Sequence, residues 1–165
     1  MNQRRRQLAA LAALSSLGLA LLAGCATTPS PTTLTATVAA APQLQSLSRM
    51  IADAGLNETL NGTGPFTVLA PSDEAFKALS PKIQADLAAD KNLLKSVLSY
   101  HVLPGKLTAA DIKNGNIKSV QGANVALARA GNFVTVEEAV VTQADLIATN
   151  GVVHIIDKVL MPPKR

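Results

Sequence analysis

Apolar residues spaced three or four positions apart dominate the first half of the chain. Leu44, Leu47 and Ile51 fall on one face of a helix, which we predict to end near Gly55. Three further helices are predicted to begin at residues whose side chains can accept hydrogen bonds from the free N–H groups of the first turn. These predicted N-caps are Ser72, Ser80 and Asp90.

Short runs of β-branched and apolar residues dominate the second half and predict strands. The predicted strands cover residues 66–69, 100–103, 117–120, 125–128, 133–136, 140–142 and 152–160. A hairpin turn is predicted at 130–132, and a short helix at 108–115 that begins at Thr108. The last strand is long and apolar, so both of its faces are predicted to be covered. Helices followed by strands indicate an α+β fold with the helices packed on a strand-rich core.

The first 24 residues have the order of a bacterial lipoprotein signal peptide. Arg4, Arg5 and Arg6 precede an apolar run at 8–23, and small residues lead to Cys25. We therefore predict that residues 1–24 are removed and that Cys25 carries a thioether-linked diacylglycerol. The alternative is an ordinary transmembrane anchor, but the run is short against the roughly 20 residues that a span needs. The sequence does not distinguish export through the Sec pathway from export through the twin-arginine pathway.

Removal of this segment changes the charge of the chain. The full sequence holds 15 Lys and Arg against 11 Asp and Glu, and loss of the three arginines leaves 12 against 11. The basic character therefore belongs mostly to the signal, and no nucleic-acid partner is expected. Cys25 is the only cysteine, so no internal disulfide is expected.

The remaining chain divides into a tether and one domain. Residues 25–37 hold the lipidated cysteine and a Thr/Pro-rich stretch that is predicted not to pack. Residues 38–163 have the length of one domain. The protein is predicted to lie in the cell envelope, where the lipid anchors it. Because Ala26 and not aspartate follows the cysteine, an outer-membrane or periplasm-facing position is favoured in a Gram-negative cell.

Three separated segments closely resemble the fasciclin domain family. They read GPFTVLAPSDEAF at 64–76, YHVLPG at 100–105 and NGVVHIIDKVLMP at 150–162. The first and third are similar to the two signature boxes of that family, and the second to its Tyr-His motif. The residues that carry the two boxes are Phe66, Pro71, Asp73, Phe76, Asn150, Gly151, His154 and Asp157. The resemblance covers about residues 38–162.

This resemblance implies both a fold and a function. The implied fold is a β-sandwich or wedge core with several helices packed around one side. The implied function is a non-catalytic role in adhesion or in binding a matrix or protein partner. The partners expected are therefore the membrane, through the lipid on Cys25, and an unidentified surface, matrix or protein. No cofactor is expected.

Two pairs of residues are candidate binding sites. Tyr100 and His101 form the Tyr-His motif, and the alternative is a buried histidine that bonds Asp73 or the backbone, which we favour. Asp145 and Leu146 match the position of an Asp-Ile adhesion motif in animal relatives. The alternative, which we also favour, is that Asp145 caps a turn and Leu146 fills the core.

The sequence offers no grouping for metal binding or catalysis. His154 and Asp157 lie three apart on a predicted strand and should point to opposite faces. No nucleophile–base pair stands out, so the chain is not predicted to be an enzyme. The alternative function is a carrier that holds a small apolar ligand between sheet and helices. A cavity of more than a few hundred Å³ would favour that alternative.

Overall fold

The fold is known from a computed structural model that describes residues 32–131 and 133–163. The helices are α1 Leu34–Ala40, α2 Gln45–Asp53, α3 Asn57–Asn61, α4 Asp73–Lys77, α5 Pro81–Ala89 and α6 Lys91–Tyr100, with a 3-10 helix at Pro42–Leu44. The strands are β1 Phe66–Pro71, β2 Val102–Pro104, β3 Gly115–Lys118, β4 Asn124–Ala130, β5 Phe133–Val136, β6 Ala139–Ala148 and β7 Gly151–Ile156. The predicted α+β class is confirmed.

One mixed sheet carries all seven strands, in the order β2-β1-β7-β6-β5-β4-β3. Strands β1 and β7 pair in parallel, and the other neighbours are antiparallel. The sheet curls until its two ends approach, and the backbone N–H of Val120 donates to the carbonyl of Val102 at 2.8 Å. The curled sheet is the wedge-like core that the family resemblance implied.

Two apolar cores fill the molecule. One core lies between helices and sheet and includes Leu34, Leu47 and Val153. The other lies within the curled sheet and includes Val136 and Ile156. Helices therefore cover one side of the sheet, while the sheet covers much of its own second face.

Strand β7 lies at the centre, and all six of its residues are buried. This confirms that its two faces are covered, as expected for a strand with a parallel neighbour. Its first residue must be glycine, because a Cβ at Gly151 would lie 2.0 Å from the carbonyl oxygen of Phe66. The strand ends at Ile156 and not near 160 as predicted.

All three predicted N-caps are confirmed. Ser72 Oγ accepts from the N–H of Ala75 at 3.2 Å, and Ser80 Oγ accepts from Ile83 at 3.4 Å. Asp90 Oδ1 accepts from the N–H groups of residues 92 and 93 at 2.8 and 3.1 Å. Each bond satisfies a donor that the first turn leaves without an intrahelical partner.

The prediction that the tether does not pack is wrong for residues 32–37. Leu34 is fully buried at the start of α1, and its N–H donates to Asn150 Oδ1 at 3.0 Å. Val38 lies one turn later on the same face and is also buried. The two apolar residues are enough to dock a helix whose other residues are mostly Thr and Ala. The domain therefore begins by residue 32 and not at 38.

Residues 1–31 lie outside the described part of the chain. The predicted signal peptide at 1–24, the lipidation site Cys25 and the first half of the predicted tether all fall there. Among the described residues, none of the helices has the length and apolar character needed to cross a bilayer.

Two further local predictions are wrong. Tyr100 ends α6 and His101 is its C-cap, so the strand begins only at Val102. Residues 108–112 form a single turn and no helix, because Asp111 and Ile112 both donate their N–H groups to the carbonyl of Thr108, and Gly115 already belongs to β3. The β propensity of Tyr100 had predicted an extended conformation. In the structure Tyr100 is instead the last residue of α6, and from there its side chain packs in the core of the curled sheet.

We expect Leu34→Ala to lower the free energy of unfolding by about 2–5 kcal/mol, because it leaves a cavity under α1. Urea unfolding of a soluble chain that begins at Ala26 measures this change. Ala39→Ser, on the exposed face of the same helix, is the control and should change the value by less than about 0.5 kcal/mol. Equal stability of the Leu34→Ala and parent chains would show that α1 is not part of the folded domain.

Candidate functional site

A bulge in β6 is formed at Asp145, whose φ of 59° lies in the left-handed region. The pairing of β6 with β7 shifts register between Gln143 and Leu146. Asp145 Oδ1 accepts from the N–H of Ala109 at 2.8 Å, and its own N–H donates to His154 Nδ1 at 3.2 Å. Aspartate tolerates this conformation better than most residues. Hydrogen bonds from side chain and backbone therefore hold the bulge in one geometry.

The ring of His154 fastens the loop at 105–109 to the sheet. Because Nδ1 accepts from Asp145, the neutral ring carries its proton on Nε2, which donates to the carbonyl of Leu107 at 2.8 Å. The loop is held a second time by Thr67, whose Oγ1 accepts from the N–H of Leu107 at 2.9 Å and donates to the carbonyl of Gly105 at 2.7 Å. Both ring nitrogens are used inside the protein, so His154 has a structural role.

The side chains that follow the bulge divide between core and solvent. Leu146 is half-buried and packs against the core beneath the helices. Asp145 is exposed, and Ile147 is 64% exposed. The position of Leu146 agrees with the favoured alternative, in which it fills the core, and the exposed apolar residue after Asp145 is Ile147. Strand alternation, which places residues i and i+2 on one face, was the signal that could have identified Ile147.

Tyr100 is buried, and its hydroxyl joins α6 to the turn between β5 and β6. The hydroxyl lies within hydrogen-bond distance of the Glu137 carboxylate and 3.0 Å from the carbonyl of Asn124. Burial raises the pKa of Tyr100 above its usual value, and the hydrogen bond and negative charge of Glu137 raise it further. The phenol therefore stays protonated and serves as an internal donor.

His101 is also fully enclosed and bonds only to backbone. The N–H of Leu160 donates to Nε2 at 3.0 Å, so Nδ1 carries the proton and donates to the carbonyl of Val97 at 2.8 Å. Burial lowers the pKa of His101 to about 4, although the bond to Val97 acts in the opposite direction. The favoured interpretation as a buried, bonded histidine agrees with this geometry, but the partner is backbone and not Asp73.

Asp73 instead caps another helix. Its Oδ1 accepts from the N–H of Ser46 at 2.7 Å, at the start of α2, where Leu44 in the N-cap position has no side-chain acceptor. Burial raises the pKa of Asp73, but hydrogen bonds from Ser46 and Gln45 and the charge of Lys77 outweigh it and hold the pKa below its usual value. The carboxylate is therefore ionised and ties α4 to α2.

The other residues of the two signature boxes hold elements together. Asn150 accepts from Leu34 through Oδ1 and donates through Nδ2 to the carbonyl of Leu60 at 2.6 Å, which joins α1 and α3 to the sheet. Asp157 follows β7 and accepts from the N–H of Val140 at 2.7 Å. Phe76 is buried beneath the helices, Phe66 packs at the edge of that core, and Pro71 ends β1 opposite Ile156.

The structure joins some of the predicted site residues and separates others. Asp145 and His154 are in direct contact, whereas His154 and Asp157 bond different elements. Tyr100 and His101 are buried and contribute no exposed surface beside Asp145. Within residues 32–131 and 133–163, no three His, Cys, Asp or Glu side chains cluster as a metal site would need.

The curled seven-stranded sheet with helices on one side defines the class of α+β fold, and comparison with known proteins identifies the family. The family model described as the fasciclin domain matches residues 42–162. The chain therefore belongs to the fasciclin domain family, as the three motifs predicted.

Relatives and a solved structure agree with this assignment. The chain is 38% identical over 140 residues to protein sll1483 of Synechocystis sp., which covers 84% of this chain and 78% of that protein. It is 42% identical over 114 residues to the transforming growth factor-beta-induced protein ig-h3 of Sus scrofa, covering 68% of this chain but only 17% of the porcine protein. A FAS1 domain pair from the insect cell adhesion molecule fasciclin I superposes with a TM-score of 0.63 at 19% identity, covering 79% of this chain and 51% of that one.

We expect His101 to make the protein less stable as the pH falls from about 6.5 to about 4. The unfolded chain binds a proton near the ordinary pKa of 6.5, whereas the folded state resists protonation until about pH 4. The difference corresponds to about 3 kcal/mol. Urea unfolding at pH 7 and pH 4 measures it in the parent and in His101→Gln, which does not titrate.

The stability of the parent should fall between these pH values by about 3 kcal/mol more than that of His101→Gln. Lys95→Gln, an exposed change on α6, is the control and should keep the pH dependence of the parent. Identical pH dependence in the parent and in His101→Gln would contradict the assigned burial of a neutral ring.

Proposed function

We propose that this chain is a non-catalytic adhesion module that binds a surface, matrix or protein partner from a lipid-anchored position in the cell envelope. Membership of the fasciclin family supports the adhesion role, since the similar FAS1 domain pair comes from a cell adhesion molecule. The chain spans 17% of the porcine relative, so partners of that longer protein are not carried over.

The observation that carries the proposal is the exposed pair of Asp145 and Ile147 on a rigid bulge. The bonds of Asp145 to Ala109 and His154 fix the backbone, so little conformational entropy is lost when a partner binds. Oδ1 accepts from Ala109, but a carboxylate has further acceptor sites. Two residues further along β6, the exposed side chain of Ile147 adds apolar surface.

We propose a non-catalytic module because the side chains that could act as acids or bases form hydrogen bonds inside the protein. Both ring nitrogens of His101 and of His154 bond backbone groups. The hydroxyl of Tyr100 is turned towards Glu137 and Asn124 inside the fold. General acid–base chemistry needs such groups within reach of a substrate, and these are engaged elsewhere.

Lipid attachment at Cys25 completes the proposal. The order of basic, apolar and small residues before Cys25 supports it. Thr32 is held to the sheet, because its carbonyl accepts from the N–H of Thr149 at 2.9 Å. Only residues 26–31 then separate the lipid from the domain, and the seven steps from Cys25 to Thr32 reach at most about 25 Å. We infer that the domain lies close to the membrane. In a Gram-negative cell this would be the outer membrane or a position that faces the periplasm.

The carrier alternative needs space between sheet and helices. The void found there, lined by Leu47, Val68 and Leu98 among others, holds about 10 Å³. This is about the space of one water molecule and too small for an organic ligand. A carrier function would therefore have to use a groove on the helical surface, which is described below.

We expect Asp145→Asn to fold normally and to reduce attachment, because asparagine tolerates positive φ and can accept from Ala109 but has no charge. The measurement is attachment of a deletion strain that carries the parent or variant gene to bare, collagen-coated and polysaccharide-coated surfaces. Glu138→Gln, an exposed carboxylate in the neighbouring turn, is the control and should attach like the parent. Normal attachment by Asp145→Asn on every surface would remove Asp145 from the binding site.

We expect Cys25→Ala to abolish acylation, because Cys25 is the only cysteine in the chain that could carry the thioether-linked lipid. Fractionation followed by mass spectrometry of the N-terminal peptide measures both location and acylation. Ser16→Ala, a change within the apolar run, is the control and should remain acylated. An acylated Cys25→Ala protein would show that the assigned lipid site is wrong.

A further inference from the structure

An open groove of about 590 Å³ lies on the helical side of the domain, bounded by α2, α4, α5 and α6. Its volume is within the range of about 300–1,000 Å³ typical of small-molecule sites. Apolar side chains form much of its lining, among them Met50, Phe76, Leu79 and Leu87. The groove is made by these helices and by Leu79 in the turn after α4, and it shares no residue with the bulge at Asp145.

Two polar clamps hold the walls of the groove in place. The Asp73 carboxylate bonds the N–H of Ser46 and so joins α4 to α2. The amide nitrogen of Gln84, on α5, donates to the carbonyls of Phe76 and Leu79 at 3.0 and 2.9 Å. These carbonyls lie at the end of α4, where intrahelical donors run out. The groove is therefore already formed without a ligand, which lowers the entropic cost of binding.

The charged residues of the lining have an excess of positive charge. Three cations line the groove from three different helices: Arg49 on α2, Lys77 on α4 and Lys91 on α6. Two carboxylates, Asp53 and Asp73, also line it, so three cations against two anions leave a net charge of +1. An apolar floor with cations around it matches a ligand that has an apolar body and one negative group.

We propose that this groove binds a small amphipathic anion, such as a medium-chain carboxylate, with the chain on the apolar floor and the charged group at the cationic rim. The proposal gives the carrier alternative a specific site and ligand class, and it is independent of adhesion through Asp145. The ligand is a free molecule and not a bilayer, because the groove is concave and its apolar floor is recessed between helices.

Binding of sodium decanoate below its micellar concentration tests the proposal. Amide resonances of the soluble chain that begins at Ala26 are followed by NMR during titration. We expect saturable shifts at residues of α2, α4 and α5, with much weaker shifts from decanol and from decyltrimethylammonium. Equal or stronger binding of either of these two probes would overturn the assignment of an anionic ligand. Binding only to anionic lipid vesicles would overturn the assignment of a free ligand.

Paired variants locate the site. Lys91→Gln should weaken decanoate binding about fivefold, while Lys95→Gln, one turn further along the same helix and outside the groove, should leave it unchanged. Ala88→Phe fills the groove and should abolish binding, whereas Ala89→Phe, an exposed neighbour outside the lining, should not. Binding that survives Ala88→Phe would place the ligand elsewhere and overturn the proposal.

These variants also separate this proposal from the proposed adhesion. Ala88→Phe should lose decanoate binding and keep surface attachment, and Asp145→Asn should do the reverse. Loss of both functions in Ala88→Phe, with an unchanged unfolding transition, would show that the two sites are not independent. Thermal unfolding of each variant measures whether the fold is retained.

Discussion

The parallel pairing of β1 with β7 is the interaction on which the rest of the fold depends. Six consecutive residues of β1, from Phe66 to Pro71, pair with Gly151 to Ile156. The two strands lie far apart in sequence, so this pairing closes a long loop and gathers everything between them. Gly151 makes the start of the pairing possible, because no side chain fits against the carbonyl of Phe66.

The polar residues around β7 fasten the surrounding elements to this central pair. Asn150, just before the strand, holds α1 and α3, and His154, in its middle, holds the loop at 105–109 and the bulge of β6. His101 holds the segment after β7 through the N–H of Leu160. In the described part of the chain, no buried side-chain nitrogen or oxygen lacks a hydrogen bond. The motif residues of the family therefore mainly build the scaffold, although Asp73 and Phe76 also line the groove between the helices.

Two surfaces remain on that scaffold with different physical character. The bulge at Asp145 is narrow, exposed and rigid, which suits contact with a large partner. The groove between the helices is concave, apolar at its base and cationic at its rim, which suits a small ligand. A domain held within a few residues of a lipid anchor would present both near the membrane, where local concentrations of partners and amphiphiles are high.

The sequence alone determined the α+β class, the helix caps, most strands and the family, because these depend on local capping, on periodicity and on contiguous motifs. Ser72, Ser80 and Asp90 act within their own first turn, and burial of β7 is visible in its unbroken apolar run. Only the tertiary structure decided the role of α1, which docks through Leu34 and Val38 although its composition is typical of a linker. It also decided that β6 continues to Ala148, so that Leu146 packs against the core while Asp145 and Ile147 are exposed. The groove between the helices depends on contacts among side chains from four separate elements, and no local pattern in the sequence encodes such contacts.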